Sequence, residues 1–201
     1  MSTLNFSITS SPDVSAGPVS ANGVPAFSGA VSSFESRVAP IVHIVCFGNL
    51  LQEDDGFGIH VFQRLSKLDL PENVQVFEAG ISGLNALQFF ENAHKVVIVD
   101  AMDAGLPVGS VHRLCWNELN PPADEFSTHA IGVDHLFQLL PLVIPVEKMP
   151  EIVIIAAQIC SVIRFTDSLS TELQTSLEKA IELIDMELPV AMEGRQAGTE
   201  Q

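Results

Sequence analysis

Short uninterrupted apolar runs alternate along the chain with segments in which apolar residues recur every three or four positions. Residues 41–47 (IVHIVCF), 96–99 (VVIV) and 152–157 (IVIIAA) are rich in β-branched side chains and too short for typical helices. Runs of this kind predict strands buried on both faces, as in a parallel sheet covered by helices. Residues 74–77 predict a shorter strand between the first two.

Helical spacing marks four segments between and after these runs. Three of them predict helices near residues 57–65, 84–91 and 130–140, and Pro141 is expected to stop the third. The last helix is the clearest, because Ser170 is a favourable N-cap residue. Its apolar stripe is formed by Leu173, Leu177, Ala180, Ile181 and Ile184.

The alternation of strands and helices predicts the fold class. We expect an α/β protein, a three-layer αβα sandwich with a mixed, mostly parallel twisted sheet of about five strands. Residues 110–115 predict a strand that follows the 96–99 strand after a loop too short for a parallel crossover, so this pair should be antiparallel. Ligands of such sheets bind beyond the carboxyl ends of the strands, which directs attention to the loops there.

The two ends of the chain differ in composition from its centre. Residues 1–39 are rich in Ser, Gly, Pro, Ala and Val and predict a flexible extension, and residues 190–201 predict a flexible polar tail. Residues 40–189 are expected to form one α/β domain. No apolar run is long enough for a membrane span, and no basic region precedes an apolar stretch, so we expect a cytoplasmic protein without a membrane partner.

The charge balance narrows the choice of partners. The net charge is −16, with 25 acidic residues against nine Lys and Arg. Such a chain repels phosphate backbones, which disfavours nucleic acid and favours a cationic partner or a metal ion. The three cysteines, Cys46, Cys115 and Cys160, form no CxxC pair and are expected to be buried apolar residues of a reducing compartment.

Three consecutive acids, Glu53, Asp54 and Asp55, lie where the helix near residue 57 should begin. One of the two aspartates could simply cap that helix. A cap needs a single acid, however, and three adjacent acids repel one another. Because Gly56 and Gly58 would let another body approach closely, the residues alone leave a cap and a binding site equally open.

Asp100 and His129 add to this picture. Asp100 ends the 96–99 strand, where a partly desolvated carboxylate is costly unless it is paired or binds a cation. His129 lies in the loop STHAIG (residues 127–132), which is expected at the same edge of the sheet. Two carboxylates and an imidazole suit a divalent first-row metal with open coordination positions, although a loop-ordering Asp100 and a structural His129 remain alternatives.

Taken together, three motifs resemble the hydrogenase maturation endopeptidases. They are GNLLQEDDGFG (residues 48–58), VVIVDA (96–101) and STHAIG (127–132), and the resemblance covers about residues 41–187 with order and spacing intact. In that family the second strand usually ends in an acid and two glycines, whereas this chain has Glu78-Ala79-Gly80. The extension at residues 1–39 has no counterpart in the usual pattern.

The resemblance implies a peptidase that acts on the large-subunit precursor of a nickel–iron hydrogenase. It would remove a C-terminal extension after nickel insertion, and Asp55, Asp100 and His129 would recognise the nickel and serve as the catalytic and metal-binding residues. The nickel would be carried by the substrate, and no organic cofactor is implied. The usual serine, cysteine and zinc peptidases are disfavoured, because no nucleophile has a convincing His and acid set and no HExxH occurs.

Two alternatives stay open from the sequence. A phospho-acceptor signalling domain also carries acids after its first strand and an aspartate ending its third, but it needs a basic residue after the last strand. Residues 156–160 (AAQIC) contain no lysine. A non-enzymatic nickel-binding maturation chaperone could use the same three ligands.

Overall fold

The computed structural model of the chain describes residues 39–116, 133–160 and 165–189. Five strands within these ranges form one sheet in the order β2-β1-β3-β5-β4. They are β1 (Val42–Phe47), β2 (Val74–Gly80), β3 (Lys95–Met102), β4 (Val111–Cys115) and β5 (Glu151–Gln158). β1 is parallel to β2 and β3, β3 is parallel to β5, and β4 is antiparallel to β5. The prediction of a mixed, mostly parallel sheet is confirmed.

Helices cover both faces of this sheet. They are α1 (Phe57–Leu65), α2 (Gly83–Ala86), α3 (Val133–Val143) and α4 (Thr171–Glu187). α1 and α4 pack on the face that includes Ile44 and Val99, while α2 and α3 pack on the face that includes Val45 and Ile98. The predicted three-layer αβα sandwich is therefore confirmed. None of the described helices is both long and apolar enough to cross a membrane.

The last helix agrees with its sequence pattern. The Ser170 hydroxyl caps α4 by accepting a hydrogen bond from the Leu173 backbone N–H at 3.4 Å. Every residue of the predicted stripe lies in or against the core on that face, since Leu173, Ala180 and Ile184 are buried and Leu177 and Ile181 are partly buried.

The position of β4 corrects one prediction. β4 runs antiparallel to β3, as expected, but it does not pair with it, because β5 lies between them. All of β5 except its first residue is buried, so it takes a central position with neighbours on both sides. β4 carries His112 and Arg113, which are not buried, and such a strand is tolerated at the edge.

Several element boundaries also differ from the predictions. β3 continues to Met102, so Asp100 lies inside the strand rather than at its end. The helix expected at residues 84–91 is two short pieces, α2 and a 3-10 turn over Leu87–Phe90. Pro141 lies inside the last turn of α3, and the helix continues past it until Ile144 donates to the Leu140 carbonyl at 2.8 Å. The proposed domain boundaries at residues 39 and 190 border residues outside the described ranges and stay predictions.

The burial of the three cysteines depends on their positions in the sheet, and it differs from the prediction for two of them. Cys46 in β1 is buried, as expected, but Cys115 is partly exposed and Cys160 is exposed. Cys115 ends the edge strand, and Cys160 follows the end of β5, so neither position is covered on all sides. All three are free thiols.

A cluster of charged residues connects the end of α4 to strands β3, β4 and β5. The Glu187 carboxylate, 7% exposed, accepts hydrogen bonds from Arg113 Nε at 2.5 Å and Lys95 Nζ at 2.6 Å. Lys95 also approaches Glu151 Oε1 at 3.3 Å. The hydrogen bond from Arg113 is the main reason that the pKa of Glu187 lies below its ordinary value, with Lys95 acting in the same direction. The charged form of Glu187 therefore stabilises the fold.

Glu187→Gln should lower the free energy of unfolding at pH 7 by about 2 kcal/mol, because it weakens hydrogen bonds to a nearly buried charge. A lowered pKa means that this stabilisation is complete above the unfolded-state pKa of about 4.3 and is lost as the pH falls through the lower folded-state value. Urea denaturation from pH 7 down to pH 3 measures it. Glu151→Gln is the control, and its exposed ion pair should contribute less than about 0.5 kcal/mol. Equal effects of both substitutions, or a Glu187→Gln effect unchanged at pH 3, would contradict this assignment.

Candidate active site

The loop that follows β1 folds back on itself and places its acids over the sheet. Gly48 has a φ of 140°, and a Cβ atom at this position would overlap the Asp55 carbonyl oxygen. The Asn49 N–H donates to that same carbonyl at 2.9 Å, while the Gly48 N–H donates to the Gly80 carbonyl at 3.0 Å. A glycine is therefore required where the loop closes, and the closure fixes Asp55 beside the ends of β1 and β2.

The three acids of this loop have different surroundings. They form the first part of a 3-10 turn, Glu53–Gly56, in which Asp54 and Asp55 are buried and Glu53 is not. Asp54 Oδ1 accepts a hydrogen bond from the Ser170 backbone N–H at 2.8 Å, so Asp54 ties the loop to the start of α4. The N-cap of α1 is Gly56, without a side-chain hydrogen bond, so the interpretation of Asp54 or Asp55 as its cap is wrong.

Further backbone contacts join the loop to the segment before α4. Gln52 forms a parallel bridge with Thr166, and the Glu53 N–H donates to the Thr166 carbonyl at 3.0 Å. The Phe165 N–H donates to the Leu51 carbonyl at 2.7 Å. The loop is thus supported from two sides, by β2 and by the segment leading into α4.

Asp100 lies on the central strand β3 and is completely buried. Its Oδ1 accepts a hydrogen bond from the Ala101 N–H at 2.8 Å, and its Oδ2 is also inaccessible to solvent. By strand alternation its side chain lies on the face of Ile98 and Met102, the face that α2 and α3 cover. A carboxylate in this position is strongly desolvated.

The start of α1 packs closely against the end of β1 and against the strand that carries Asp100. A Cβ atom on Gly58 would overlap the Phe47 carbonyl oxygen and would lie only 2.7 Å from the Val99 carbonyl oxygen. The first turn of α1 therefore lies directly on the carboxyl ends of β1 and β3, at the residue before Asp100. Asp55, three residues before Gly58, is 0% exposed at the same edge. The structure therefore places Asp55 and Asp100, two of the three predicted site residues, in fully buried positions near this edge of the sheet.

His129 and the rest of its loop lie outside the described residues, so its place in the site stays a prediction. Among the residues that are described, no group of three or more His, Cys, Asp and Glu side chains is arranged to hold a metal ion.

Cys46 and Glu78 adjoin the site without resembling a nucleophile and its base. They are paired across β1 and β2, with Glu78 exposed and Cys46 buried. Burial raises the pKa of the Cys46 thiol well above its ordinary range, and the charges of Glu78 and Asp100 add to the increase. A protonated, buried thiol does not serve as a nucleophile.

Gln158 is a supporting residue that the sequence analysis missed. It is buried at the end of β5, where its Oε1 accepts from the N–H groups of Ala104 at 2.9 Å and Leu106 at 3.2 Å. Its Nε2 donates to Asp103 Oδ1 at 3.2 Å and to the Ile159 carbonyl at 2.6 Å. Gln158 thereby holds the loop that follows Asp100, and the available signal was a polar residue at the end of an apolar strand.

Comparison with known proteins gives matches that cover most of the chain. Residues 59–187 match the HycI family model, described as hydrogenase maturation protease. A Methanocaldococcus jannaschii protein named as a hydrogenase maturation protease is 37% identical over 149 residues, covering 70% of this chain and 92% of the relative. The hydrogenase expression/formation protein HupD of Thiocapsa roseopersicina is 27% identical over 150 residues, covering 73% of this chain and 67% of that protein.

Two solved structures show the same architecture. The hydrogenase-maturating endopeptidase HybD from Escherichia coli superimposes with a TM-score of 0.59 at 18% identity, covering 72% of this chain and 89% of that chain. The [NiFe] hydrogenase maturation protease HycI from Thermococcus kodakarensis gives 0.58 at 24% identity, covering 75% and 93%. At these identities the likeness shows the fold alone.

The αβα sandwich of this chain is thus the fold of two solved structures whose names describe an endopeptidase and a protease. The family match and the M. jannaschii relative show more than the fold. This chain belongs to the hydrogenase maturation protease family, and it is an endopeptidase.

Proposed function

We propose that this endopeptidase removes the C-terminal extension of a nickel–iron hydrogenase large-subunit precursor after nickel insertion, and that Asp55, Asp100 and His129 recognise the nickel. The observation that supports the proposal is that two carboxylates, Asp55 and Asp100, are fully buried near the carboxyl ends of β1 and β3. Ligand sites in sheets of this type lie where neighbouring connections leave on opposite faces. Here α1 follows β1 on one face, and α3 lies on the other.

The burial of both carboxylates supports cation recognition. Each charge that leaves water has a large desolvation cost, and two like charges close together add repulsion. A divalent cation bound between them offsets both the desolvation cost and the repulsion. Carboxylate oxygens with one imidazole suit a borderline first-row ion such as nickel.

The course of α3 supports His129 as the third ligand. β5 begins at the amino edge of the sheet, and only the short segment 144–150 separates α3 from it, so α3 runs towards that edge. Its first residue, Val133, consequently lies on the side of the carboxyl edge, because 11 helical residues span about 16 Å. His129 is four residues before Val133 in the sequence, and we propose that it joins the site from this side.

In the proposed mechanism the nickel belongs to the substrate. Asp55, Asp100 and His129 complete the coordination of an ion that the precursor already holds, and this contact positions the scissile peptide bond at the carboxyl edge. An empty precursor lacks the bond that docks it, so the site checks for nickel before cleavage. Asp55, Asp100 and His129 would hold the ion, which would supply Lewis-acid polarisation at the scissile carbonyl. An aspartate carboxylate would take a proton from the attacking water and return it to the leaving amine as the peptide C–N bond breaks.

The same considerations rank the alternatives. Family membership favours a protease over a phospho-acceptor domain and over a non-enzymatic nickel chaperone. Both alternatives predict a protein that leaves the precursor at its full length. We place the proposed reaction in the cytoplasm, where the three free thiols stay reduced.

The deciding experiment incubates the purified chain with a nickel-loaded large-subunit precursor and follows the precursor by intact-mass spectrometry. We expect a single new species that is shorter by one C-terminal segment. A parallel incubation with acetyl phosphate should leave the mass of the chain unchanged. An uncut precursor, or phosphate on Asp100, would refute the proposed activity.

A further inference from the structure

Three exposed apolar side chains border the site along the carboxyl edge. They are Leu51 at 59% exposure, Ile81 at 56% and Phe165 at 90%. Large apolar side chains that remain in water contribute little to folding, and when they gather at one place they mark a contact surface. We refer to Leu51, Ile81 and Phe165 as the apolar rim.

Hydrogen bonds connect the apolar rim to the loop that carries Asp55. Leu51 belongs to that loop, and its carbonyl accepts the Phe165 N–H at 2.7 Å. Ile81 directly follows Gly80, whose carbonyl accepts the N–H of the first loop residue, Gly48, at 3.0 Å. The apolar rim and Asp55 are therefore connected to the same loop through the backbone.

The backbone holds part of the apolar rim in an unfavourable conformation. Phe165 has a φ of 64° and Glu53 a φ of 47°, values that non-glycine residues adopt rarely. The bridge between Gln52 and Thr166 keeps both residues in place. Because Phe165 is nearly fully exposed, burial of its ring does not compensate for this strain, which is typical of residues kept for binding.

The described cavities do not offer an alternative contact at this edge. One, of about 280 Å³, lies between the end of β4 and the start of β5, and another, of about 270 Å³, lies between residues 87–92 and 143–148. Both are at the amino edge of the sheet, opposite Asp55 and Asp100.

We propose that the apolar rim is the docking surface for the hydrogenase large-subunit precursor, which contacts it with an apolar patch bordered by basic side chains. This inference rests on the proposed function. Continuity with the aspartate site argues for the substrate as the occupant, since the same body must cover both. The net charge of −16 and the exposed acids Glu78, Asp103 and Asp167 around the edge argue for the basic border.

The test compares the full chain with the double variant Leu51→Ser/Phe165→Asn in cleavage of the nickel-loaded precursor. Asn tolerates the left-handed backbone at residue 165, so the loop should keep its shape. We expect KM to rise about tenfold or more with kcat changed less than twofold, because the lost contacts hold substrate without touching the reacting atoms. The melting temperature should stay unchanged. The control Leu142→Ser/Val146→Asn removes equally exposed apolar side chains from the opposite edge and should leave KM unchanged.

Each other outcome overturns the inference in a recognisable way. Normal cleavage by the wild type together with an unchanged KM in the rim variant refutes the docking surface and leaves the proposed function standing. An equal rise of KM in the control also refutes it. If the wild type sediments as a dimer and the rim variant as a monomer, the apolar rim is a self-association surface instead. If the wild type cuts nothing, the proposed function fails, and the docking surface fails with it.

Discussion

Asp100→Asn is expected to abolish processing of the nickel-loaded precursor, with a loss in kcat/KM of at least about a thousandfold. The substitution preserves shape and keeps an oxygen for the Ala101 N–H, so what it removes is the charge. Asp55→Asn should have an effect of the same size, because both carboxylates are needed at the same ion. His129→Ala should also abolish processing if the histidine is the third ligand.

These variants should remain folded, and the two Asn variants should be as stable as the wild type or more stable. Neutralising a completely buried carboxylate removes its desolvation cost, which is the usual relation between an active site and stability. Asp54→Asn is the matched control, since Asp54 is a buried acid of the same loop whose contact is structural and whose Asn oxygen can still accept the Ser170 N–H. Processing by the control should stay within about tenfold of the wild type. Retained cleavage by both Asp55→Asn and Asp100→Asn would remove the site assignment.

Precursor without nickel is expected to remain uncut under conditions in which the nickel-loaded precursor is fully processed. In the proposed mechanism, coordination of the substrate's ion by Asp55 and Asp100 supplies both docking and polarisation. The loss of several kcal/mol of stabilisation corresponds to more than about a hundredfold in rate. Intact-mass spectrometry of the two precursors, at equal enzyme and equal time, measures the difference.

A suitable control for this second prediction is the metal-free precursor reloaded with nickel, which should regain cleavage. That control separates recognition of the ion from damage to the precursor during metal removal. Equal cleavage of the loaded and empty precursors would show that the ion is not read by the protease, and the role proposed for the aspartates would then be wrong even if the peptidase activity is real.

The layers of the fold could be predicted because their signals are local. Uninterrupted β-branched runs gave the central strands, and the cap at Ser170 with its apolar stripe gave α4. The neighbour of β4 could not be predicted in the same way. Strand order depends on the competition between β4 and β5 for a buried position, and this competition is decided by long-range packing.

The features of the candidate site likewise include some that the sequence could predict and some that it could not. Asp55 and Asp100 could be placed at one edge because parallel strands share their carboxyl ends. The desolvation expected for Asp100 is confirmed, whereas the complete burial of Asp55 was not predicted. The sequence could not show that Asp54 and Asp55 have different surroundings, because the hydrogen-bond partner of Asp54 is Ser170, 116 residues away along the chain. The role of Gln158 was hidden for a similar reason, because its partners are amides of a distant loop.

The bond between Asp54 and Ser170 also has a consequence for biosynthesis. Chains emerge from the ribosome with their N-terminal part first, and β1 and its acidic loop are therefore made long before α4. The loop acquires its anchor only when the segment from Phe165 to Ser170 has been translated and the last helix has packed. The acidic loop of a nascent chain would therefore lack this support until α4 has been made and packed, and we expect proteolytic competence to arise only after that point.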